Sequence, residues 1–263
     1  MSPSGEQAGS VVRLGGRALS IVDELGRFSL LAVDTARVAF RRRFPLQDVL
    51  VQFESIAVRS VSIVAVTALF TGMVLALQTV VSLARFGAKP YTGSFVGLSI
   101  ILELGPVLTA LMVAGRVGAG ITAEIGSMAV TEQVDAIRAM GADPVRKLVL
   151  PRVIACTLGV PLLAVLADIL GVFGGLVISA QSGISPDFYI STVTSTVTLA
   201  DFLKGISKTF AFGWIVASVG CHLGLGTRGG TMGVGRSTTR AVVISSIAIF
   251  VADFFLTKLF LVL

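Results

Sequence analysis

Five apolar stretches of about twenty residues or more alternate with short polar segments along this chain. The first lies between Arg59 and Arg85, and its 25 residues at 60–84 carry no charge. A helix needs roughly 20 apolar residues to cross a membrane, and runs of this length are too long for strands. The other stretches cover about residues 91–115, 153–180, 206–225 and 241–263. The pattern therefore predicts five transmembrane helices.

A different pattern precedes the first span. Residues 11–43 combine an apolar stripe with an arginine-rich face, which predicts a helix lying in the membrane interface. The stripe is Leu14, Ala18, Ile21, Leu25 and Phe28, and the polar face is Arg13, Arg17, Glu24, Arg27, Asp34, Arg37 and Arg41. Packing on the protein's own spans is the alternative, and both can hold at once. We divide the chain into an N-terminal interfacial region, residues 1–54, and a five-span domain, residues 55–263.

The segment between the second and third spans carries many charges. Residues 128–140 predict a short amphipathic helix, with one apolar side and one charged side. The apolar side is Val130, Val134 and Ile137, and the charged side is Glu132, Asp135 and Arg138. Gly141 suits a C-terminal cap, and Asp143 with Pro144 suits the start of the next helix. This helix is either a docking element for a partner or an ordinary surface helix.

Composition and charge placement agree with a membrane protein. The 263 residues are 54% hydrophobic and 14% charged, against about 25% charged in soluble domains. The net charge of +6 does not indicate nucleic acid, because the basic residues flank apolar segments. Of the 21 Lys and Arg residues, 16 fall on one side if the N-terminus is cytoplasmic. The chain is thus expected to be an all-α integral membrane protein. Because the number of predicted spans is odd, a cytoplasmic N-terminus places the C-terminus on the periplasmic side.

No motif indicates an enzyme. Cys156 and Cys221 stand alone in separate apolar segments, so neither a disulfide nor a metal site is expected. Residues 224–240 contain GxGxxG and a near P-loop, but neither follows a strand and Arg236 replaces the P-loop lysine. We interpret this segment as a flexible basic loop. We expect no cofactor on this chain, and if ATP powers it, the ATPase is another polypeptide.

Three carboxylates fall inside the predicted spans. Glu103 is thirteen residues before Arg116 and fourteen after Lys89, close to mid-membrane, and the Gly105–Pro106 pair beside it predicts a kink. An intramembrane carboxylate is a functional-site candidate by default. The alternative is a structural role, neutral or hydrogen-bonded to a neighbouring span. Asp168 and Asp253 are weaker candidates, and Asp253 has only poor helical spacing to Lys258.

A polar position in the first span indicates a second candidate site. Gln78 is the polar residue of the GMVLALQ segment at 72–78, and with Leu75 and Phe86 it could line a cavity. Ordinary helix packing is the alternative.

Several ordered motifs resemble the MlaE/YrbE permease family, the membrane subunits of lipid ABC transporters that work with MCE proteins. The similarity extends from about Gly72 to Asp253. The residues carrying it are Glu103–Pro106 (ELGP), Ala114–Arg116 (AGR), Thr122–Gly126 (TAEIG), Thr131–Gln133 (TEQ), Asp143–Pro144 and Pro151–Arg152.

The resemblance implies a permease that moves phospholipid between the bacterial inner membrane and a periplasmic MCE protein, contributing to outer-membrane lipid asymmetry. It implies a homodimer, two cytoplasmic ATPase subunits carrying ATP and Mg, an MCE hexamer and possibly a small STAS-type subunit. The implied lipid-binding residues are Leu75, Gln78, Phe86, Glu103 and Leu104. The implied ATPase-coupling residues are Glu124, Val130, Glu132, Val134, Asp135, Ile137 and Arg138. Some relatives have Arg before the ELGP glutamate, where this chain has Leu102.

Two other functions stay open at this stage. A proton-coupled secondary transporter could use Glu103, Asp168 and Asp253 as a relay, although no matching half-chain repeats are visible and five spans make a small transporter. A non-transporting membrane anchor is the other alternative. ATP dependence of lipid transfer would separate all three.

Overall fold

A computed structural model describes residues 23, 26–38 and 46–262, and the chain divides into two compact units between Phe44 and Pro45. In the first unit, residues 26–38 form helix α1. Arg27 pairs with Asp23 at 2.9 Å and Arg37 with Asp34 at 3.7 Å, both on the exposed surface. Most of the predicted interfacial stripe, including Leu14, lies outside the described residues. The interfacial placement of this region stays a prediction.

The second unit confirms an all-helical chain with five helices able to span a membrane. No strand occurs in residues 46–262. The five helical runs are Leu46–Ala84, Lys89–Val130, Val145–Gln181, Leu199–Leu225 and Gly230–Val262.

These runs consist of individual helices joined by tighter or wider turns. The α-helices are α2 (Leu46–Ile56), α3 (Val61–Ala84), α4 (Thr92–Ser99), α5 (Gly105–Val113), α6 (Ala119–Val130), α7 (Gln133–Ala139), α8 (Leu150–Gln181), α9 (Pro186–Thr196), α10 (Leu199–Leu225) and α11 (Gly230–Val262). Val58–Ser60 and Lys89–Tyr91 are 3₁₀ turns, and Ile100–Leu104, Ala114–Gly118 and Val145–Val149 are π-helical turns.

Helix α8 is the centre of the bundle, with α3 and α10 packed against it. Small residues allow these helices to approach closely. A Cβ added at Gly72 would overlap the carbonyl of Gly171, and one at Gly213 would overlap that of Cys156. Such glycine contacts supply the close van der Waals packing that holds helices together in lipid.

The second span is longer than the predicted residues 91–115. The helical run continues past Arg116 to Val130. Arg116 lies in the π-helical turn Ala114–Gly118 and does not end the run, because its Nη1 donates to Oγ of Ser60 at 2.6 Å. Charge alone therefore misplaced the C-terminal boundary of this span.

The third and fourth spans begin earlier than predicted. Asp143 caps the third, since its Oδ1 accepts from the backbone N–H of Val145 at 2.9 Å. Thr198 and Asp201 form a reciprocal capping box at the start of α10, with bonds of 3.2 and 3.0 Å. In each span, charged residues follow the cap and belong to the first turns of the helical run: Arg146 and Lys147 in the third span, and Lys204 in the fourth. The predicted Asp143–Pro144 start is confirmed.

Two segments predicted as irregular are helical. The supposed flexible loop at 224–240 is mostly the start of α11, whose Thr238 and Thr239 hydroxyls donate back to the carbonyl of Gly235. The polar connection after the third span contains α9, because the Ser185 side chain caps it and Tyr189 is fully buried. The hydroxyls of Thr238 and Thr239 are therefore satisfied within the helix, so these polar residues do not prevent it from forming.

The predicted surface helix at 128–140 is shorter than expected. Val130 ends α6, a turn follows at Thr131 and Glu132, and α7 covers Gln133–Ala139. Glu132 has a positive φ of 60°, which breaks the helix before α7. At the other end Gly141 has φ 75° and donates to the Arg138 carbonyl, which confirms the predicted glycine cap.

Candidate functional site

A buried ionic cluster joins the second, fourth and fifth spans. Nζ of Lys208 on α10 lies 2.8 Å from Oε1 of Glu103 and 3.1 Å from Oδ1 of Asp253 on α11. It also donates to Oγ1 of Thr257 at 2.7 Å. Lys208 is 2% exposed, Asp253 18% and Glu103 40%. We refer to these four residues as the Lys208 cluster.

The local sequence builds this cluster in two steps. Pro106 has no N–H, so the carbonyl of Leu102 loses its usual helical donor, and Nζ of Lys208 donates to that carbonyl at 3.1 Å. Gly205 lets α10 come close, because a Cβ there would overlap the carbonyl of Ile101. Gly205 and Lys208 are one helical turn apart, so the same close approach brings the ammonium group to Glu103.

The cluster is a fixed charged group inside an apolar domain. One ammonium group faces two carboxyl groups, so it can balance the full charge of only one of them. Removing one partner of a buried pair leaves an uncompensated charge and typically costs about 3–5 kcal/mol. The Lys208 cluster therefore braces three spans and leaves the carboxylate of Glu103 partly exposed.

An open groove lies along α3 on another side of the π-helical turn. It has a volume of about 470 Å³, within the usual range for ligand sites. Its lining residues are Val66, Thr67, Phe70, Thr71, Val74, Leu75, Gln78 and Leu104. Three of the five predicted lipid-binding residues, Leu75, Gln78 and Leu104, thus lie together.

The other two predicted lipid-binding residues lie elsewhere. Phe86 is 82% exposed in the turn that follows α3. Glu103 is not among the groove-lining residues, because it points to Lys208 and Thr257 while its neighbour Leu104 points to α3. The groove and the Lys208 cluster are therefore two sides of one π-helical turn, Ile100–Leu104.

The predicted ATPase-coupling residues separate into two groups. Val134 and Ile137 are buried with Leu148, and Met128, Ala129 and Leu225 pack against them. Val130 ends α6 and is only partly exposed. The apolar side of α7 is thus covered by this chain itself. Glu132, Asp135 and Arg138 are exposed, and Arg138 donates to Asp135 at 2.7 Å.

Glu124 belongs to a brace beside α7. Its Oε2 lies 2.8 Å from Nη2 of Arg152, whose side chain is only 4% exposed. Nη1 of Arg152 also donates to the carbonyl of Leu148 at 2.6 Å. The pair ties α6 to α8, the helices on either side of α7.

Sequence reasoning missed Lys208 and Arg152 as site residues. Lys208 is near the start of the predicted fourth span, residues 206–225, but it is the tenth residue of α10 and is buried. The predicted weak pairing of Asp253 with Lys258 is replaced by the Lys208 pairing. The signal that pointed to Lys208 was its place within an otherwise apolar stretch, since intramembrane charges usually pair with one another.

Comparison with known proteins agrees with this architecture. The sequence profile of the family described as Permease MlaE matches residues 49–259. A probable ABC transporter permease protein of Rickettsia felis is 39% identical over 94% of this chain and 96% of the relative. A probable ABC transporter permease protein of Synechocystis is 44% identical over 82% of this chain and 83% of the relative. The intermembrane phospholipid transport system permease protein MlaE of Haemophilus influenzae is 34% identical over 94% of this chain and 95% of the relative. This chain belongs to the MlaE family of ABC transporter permeases.

Proposed function

We propose that this chain moves phospholipid between the bacterial inner membrane and a periplasmic MCE protein, and thereby contributes to outer-membrane lipid asymmetry. The observation that carries the proposal is the groove along α3, which ends at the π-helical turn holding Leu104 and Glu103. A relative named for intermembrane phospholipid transport supports the substrate class.

The groove has the chemistry that a lipid requires. Phe70, Val74 and Leu75 offer an apolar surface for acyl chains, and Thr71 and Gln78 add hydrogen-bonding groups. Ligand sites commonly combine an apolar lining with a few polar groups that fix orientation. Glu103, on the other side of the same turn, is 40% exposed and is proposed to contact the headgroup region.

A second copy of this chain is proposed to close the groove. Only 22% of the apolar window of the first span and 11% of that of the fifth are buried, against 50%, 56% and 61% for the second, third and fourth. The open groove lies on the first of these exposed spans. A symmetric homodimer whose axis is flanked by the first, second and fifth spans would cover both faces, and such dimers are common.

The energy source is proposed to lie on separate subunits. Two ATPase subunits carrying ATP and Mg would dock at the exposed face of α7, through Glu132, Asp135 and Arg138. Positive charges flanking the spans support a cytoplasmic N-terminus and α7, with the C-terminus periplasmic. An MCE hexamer would bind on the periplasmic side, and a STAS-type subunit is a further proposed partner.

Reconstitution with the ATPase and MCE partners tests this function. We expect transfer of a fluorescent phospholipid to require ATP hydrolysis. Val74→Trp should block the groove and lower transfer about tenfold, whereas Val81→Trp should not. Val81 is a matched control, because both valines are on α3 and are 51% and 54% exposed, but Val81 does not line the groove.

Other outcomes would favour the other functions. Transfer driven by a pH gradient without ATP would indicate a secondary transporter. Assembly without any transfer would indicate an anchor. Native mass spectrometry of the same complex should find two copies of this chain, and a single copy would contradict the homodimer.

A further inference from the structure

The ammonium group of the Lys208 cluster has no hydrogen bond left for Asp253. An ammonium group has three N–H donors. Those of Lys208 go to the carbonyl of Leu102 at 3.1 Å, to Oε1 of Glu103 at 2.8 Å and to Oγ1 of Thr257 at 2.7 Å. Oδ1 of Asp253 lies 3.1 Å from Nζ, yet it has no hydrogen-bond partner among the described residues. The cluster therefore has fewer donors than its two carboxyl groups can accept.

Glu103 also has a carboxyl oxygen without a donor. Both of its side-chain hydrogen bonds, from Lys208 and Thr257, end on Oε1. No residue in the described part of the chain donates to Oε2. The side chain of Glu103 is 40% exposed, whereas that of Asp253 is 18% exposed. Glu103 is therefore the carboxyl group of this cluster that a ligand can contact.

The cluster is short of one positive charge as well. Its single ammonium group faces two carboxyl groups, and within residues 23, 26–38 and 46–262 no other ion pair involves Glu103 or Asp253. Charged side chains inside membrane spans are rare and almost always pair with an opposite charge. The second carboxyl group therefore needs either a proton or a cation that the described residues do not supply.

The neighbouring ionisable groups do not supply this cation. Lys204, one helical turn before Lys208, donates to the carbonyl of Phe260 at 3.2 Å. Lys258 on α11 is exposed and forms no ion pair with the cluster. Asp168 on α8 is a further carboxyl group and adds no positive charge. The missing cation is thus expected to come from a bound molecule.

We propose that Glu103 binds the ammonium group of a phospholipid headgroup, so that this site selects lipids with a primary ammonium group, such as phosphatidylethanolamine. The inference rests on the proposed function and names the headgroup class that it would carry. The ammonium group of the lipid donates to Oε2 of Glu103 and supplies the second positive charge. Two cations then balance two carboxylates.

Three headgroups differ in what they offer to Glu103. Phosphatidylethanolamine has both a positive charge and N–H donors, and hydrogen bonds between ionised partners are the strong ones. Phosphatidylcholine has the charge without an N–H donor, and phosphatidylglycerol has neither. The phosphate is common to all three, so it does not contribute to the preference.

The proposed acyl-chain site is adjacent in sequence. Leu104, the next residue after Glu103, lines the groove along α3. Both residues belong to the π-helical turn Ile100–Leu104, so this one turn separates the apolar groove from the carboxyl group. The lipid would cross this turn with its chains on one side and its ammonium group on the other.

Lipid retention by the assembled complex tests the proposal. The complex is placed in nanodiscs that contain equal amounts of the three lipids with the same acyl chains, and the retained lipids are identified by native mass spectrometry. We expect phosphatidylethanolamine to be retained about tenfold or more over phosphatidylglycerol, the factor expected from a hydrogen bond to a charged group, with phosphatidylcholine in between. Equal retention of the three lipids, or retention of none, would overturn the proposal; equal retention would indicate that a proton balances the second carboxyl group.

A matched pair of variants assigns the preference to Glu103. Glu103→Gln keeps the side-chain shape and removes the charge, so it should abolish the preference for phosphatidylethanolamine. Glu54→Gln is the control, since Glu54 is an exposed glutamate on α2 and should leave the preference unchanged. A preference that persists in Glu103→Gln would contradict the site.

A second variant keeps the test decisive if Glu103→Gln does not assemble. Asp253→Asn retains the Glu103–Lys208 pair, and it leaves the ammonium group of Lys208 with a single carboxylate to balance. The preference for phosphatidylethanolamine should therefore fall severalfold, although Glu103 itself is unchanged. An undiminished preference in Asp253→Asn would refute the charge balance on which the inference depends.

Retention and transfer together separate this inference from the proposed function. Equal retention with ATP-dependent transfer of all three lipids would overturn the headgroup preference and leave lipid transport in place. A preference for phosphatidylethanolamine in retention, without transfer of any lipid, would support the headgroup site and contradict lipid transport.

Discussion

The ammonium group of Lys208 lies 2.8 Å from Oε1 of Glu103, and this ion pair joins the fourth span to the π-helical turn of the second. The same ammonium group donates to the Leu102 carbonyl that Pro106 leaves without a helical donor. A proline and a lysine more than a hundred residues apart therefore complete one hydrogen-bonding arrangement. The π-helical turn at the ELGP motif is stabilised from outside its own helix.

Replacing Lys208 should destabilise the fold. Lys208→Met leaves two carboxylates without their shared cation, and loss of one buried partner costs about 3–5 kcal/mol. We expect a clear fall in the thermal unfolding midpoint of the purified protein. Lys204→Met is the control, since Lys204 is only partly buried and donates to the Phe260 carbonyl. The triple variant Glu103→Gln, Asp253→Asn, Lys208→Met should recover part of the loss; equal midpoints for wild type and Lys208→Met would contradict the bracing role.

Much of the fold was predictable because hydrophobic length decides which helices span the membrane. The first span was predicted at 60–84 and α3 covers Val61–Ala84, although the helical run that contains α3 begins earlier, at Leu46. Errors occurred where a long-range contact or a cap overrides the local pattern. Arg116 did not end its helix because Ser60 binds it, and Leu199 starts α10 because Thr198 and Asp201 cap it. Ser60 is 56 residues from Arg116 and leaves no signal in the spacing, whereas Thr198 and Asp201 are three residues apart, which is the spacing of a capping box.

The candidate site was less predictable for the same reason. Leu75, Gln78 and Leu104 line one groove, and their role in lipid binding stays a prediction. The Glu103 partner was missed because Lys208 is 105 residues away in sequence. Val134 and Ile137 were predicted to belong to a docking face, but they pack against Leu148 of this chain. Helical periodicity identifies the apolar side of a helix and does not identify what covers that side.

Glu132 should be a site of backbone strain. Its φ of 60° is in the left-handed region, where a residue with a Cβ costs roughly 1–2 kcal/mol and glycine does not. Glu132→Gly should therefore unfold at a temperature equal to or above that of the wild type, and Glu132→Val should unfold at a lower one. Thermal unfolding followed by helical circular dichroism measures both. A lower midpoint for Glu132→Gly than for Glu132→Val would contradict the strained conformation.

A cysteine at Glu132 should crosslink to the ATPase subunit. Glu132 is exposed beside α7, whereas Val134 is 5% exposed and supplies a matched control that should not react. The native Cys156 and Cys221 are both buried, so their background reaction should be low. Crosslinking of the assembled complex followed by mass spectrometry is the measurement. Labelling at position 132 only from the periplasmic side would refute both the topology and the coupling role.

Glu103 should position the lipid headgroup as well as brace the spans. The pair with Lys208 explains how a carboxylate is tolerated within a membrane span, where exposure to lipid at the bilayer centre would cost about 2.5–3.5 kcal/mol. The pair does not bury Glu103, whose side chain remains 40% exposed on the side of the turn opposite the groove. Asp253 also pairs with Lys208 and is 18% exposed, so it compensates part of the cation if Glu103 is neutralised. Glu103→Gln is therefore expected to assemble.

Two substitutions separate the headgroup role from the structural one. Glu103→Gln keeps the shape and removes the charge, whereas Glu103→Leu also removes the hydrogen bonds to Lys208 and Thr257. If Glu103 positions the headgroup, both variants should lower ATP-dependent lipid transfer about tenfold or more while the complex still assembles, since a good charged contact contributes about 1.5–3 kcal/mol. If Glu103 is only structural, Glu103→Gln should be nearly silent and Glu103→Leu should lower assembly, because the Lys208 ammonium then keeps only Asp253 as a counter-ion. Full transfer by both variants would remove Glu103 from the lipid site, and the groove would then have to hold its lipid through Gln78, Leu75 and Leu104 alone.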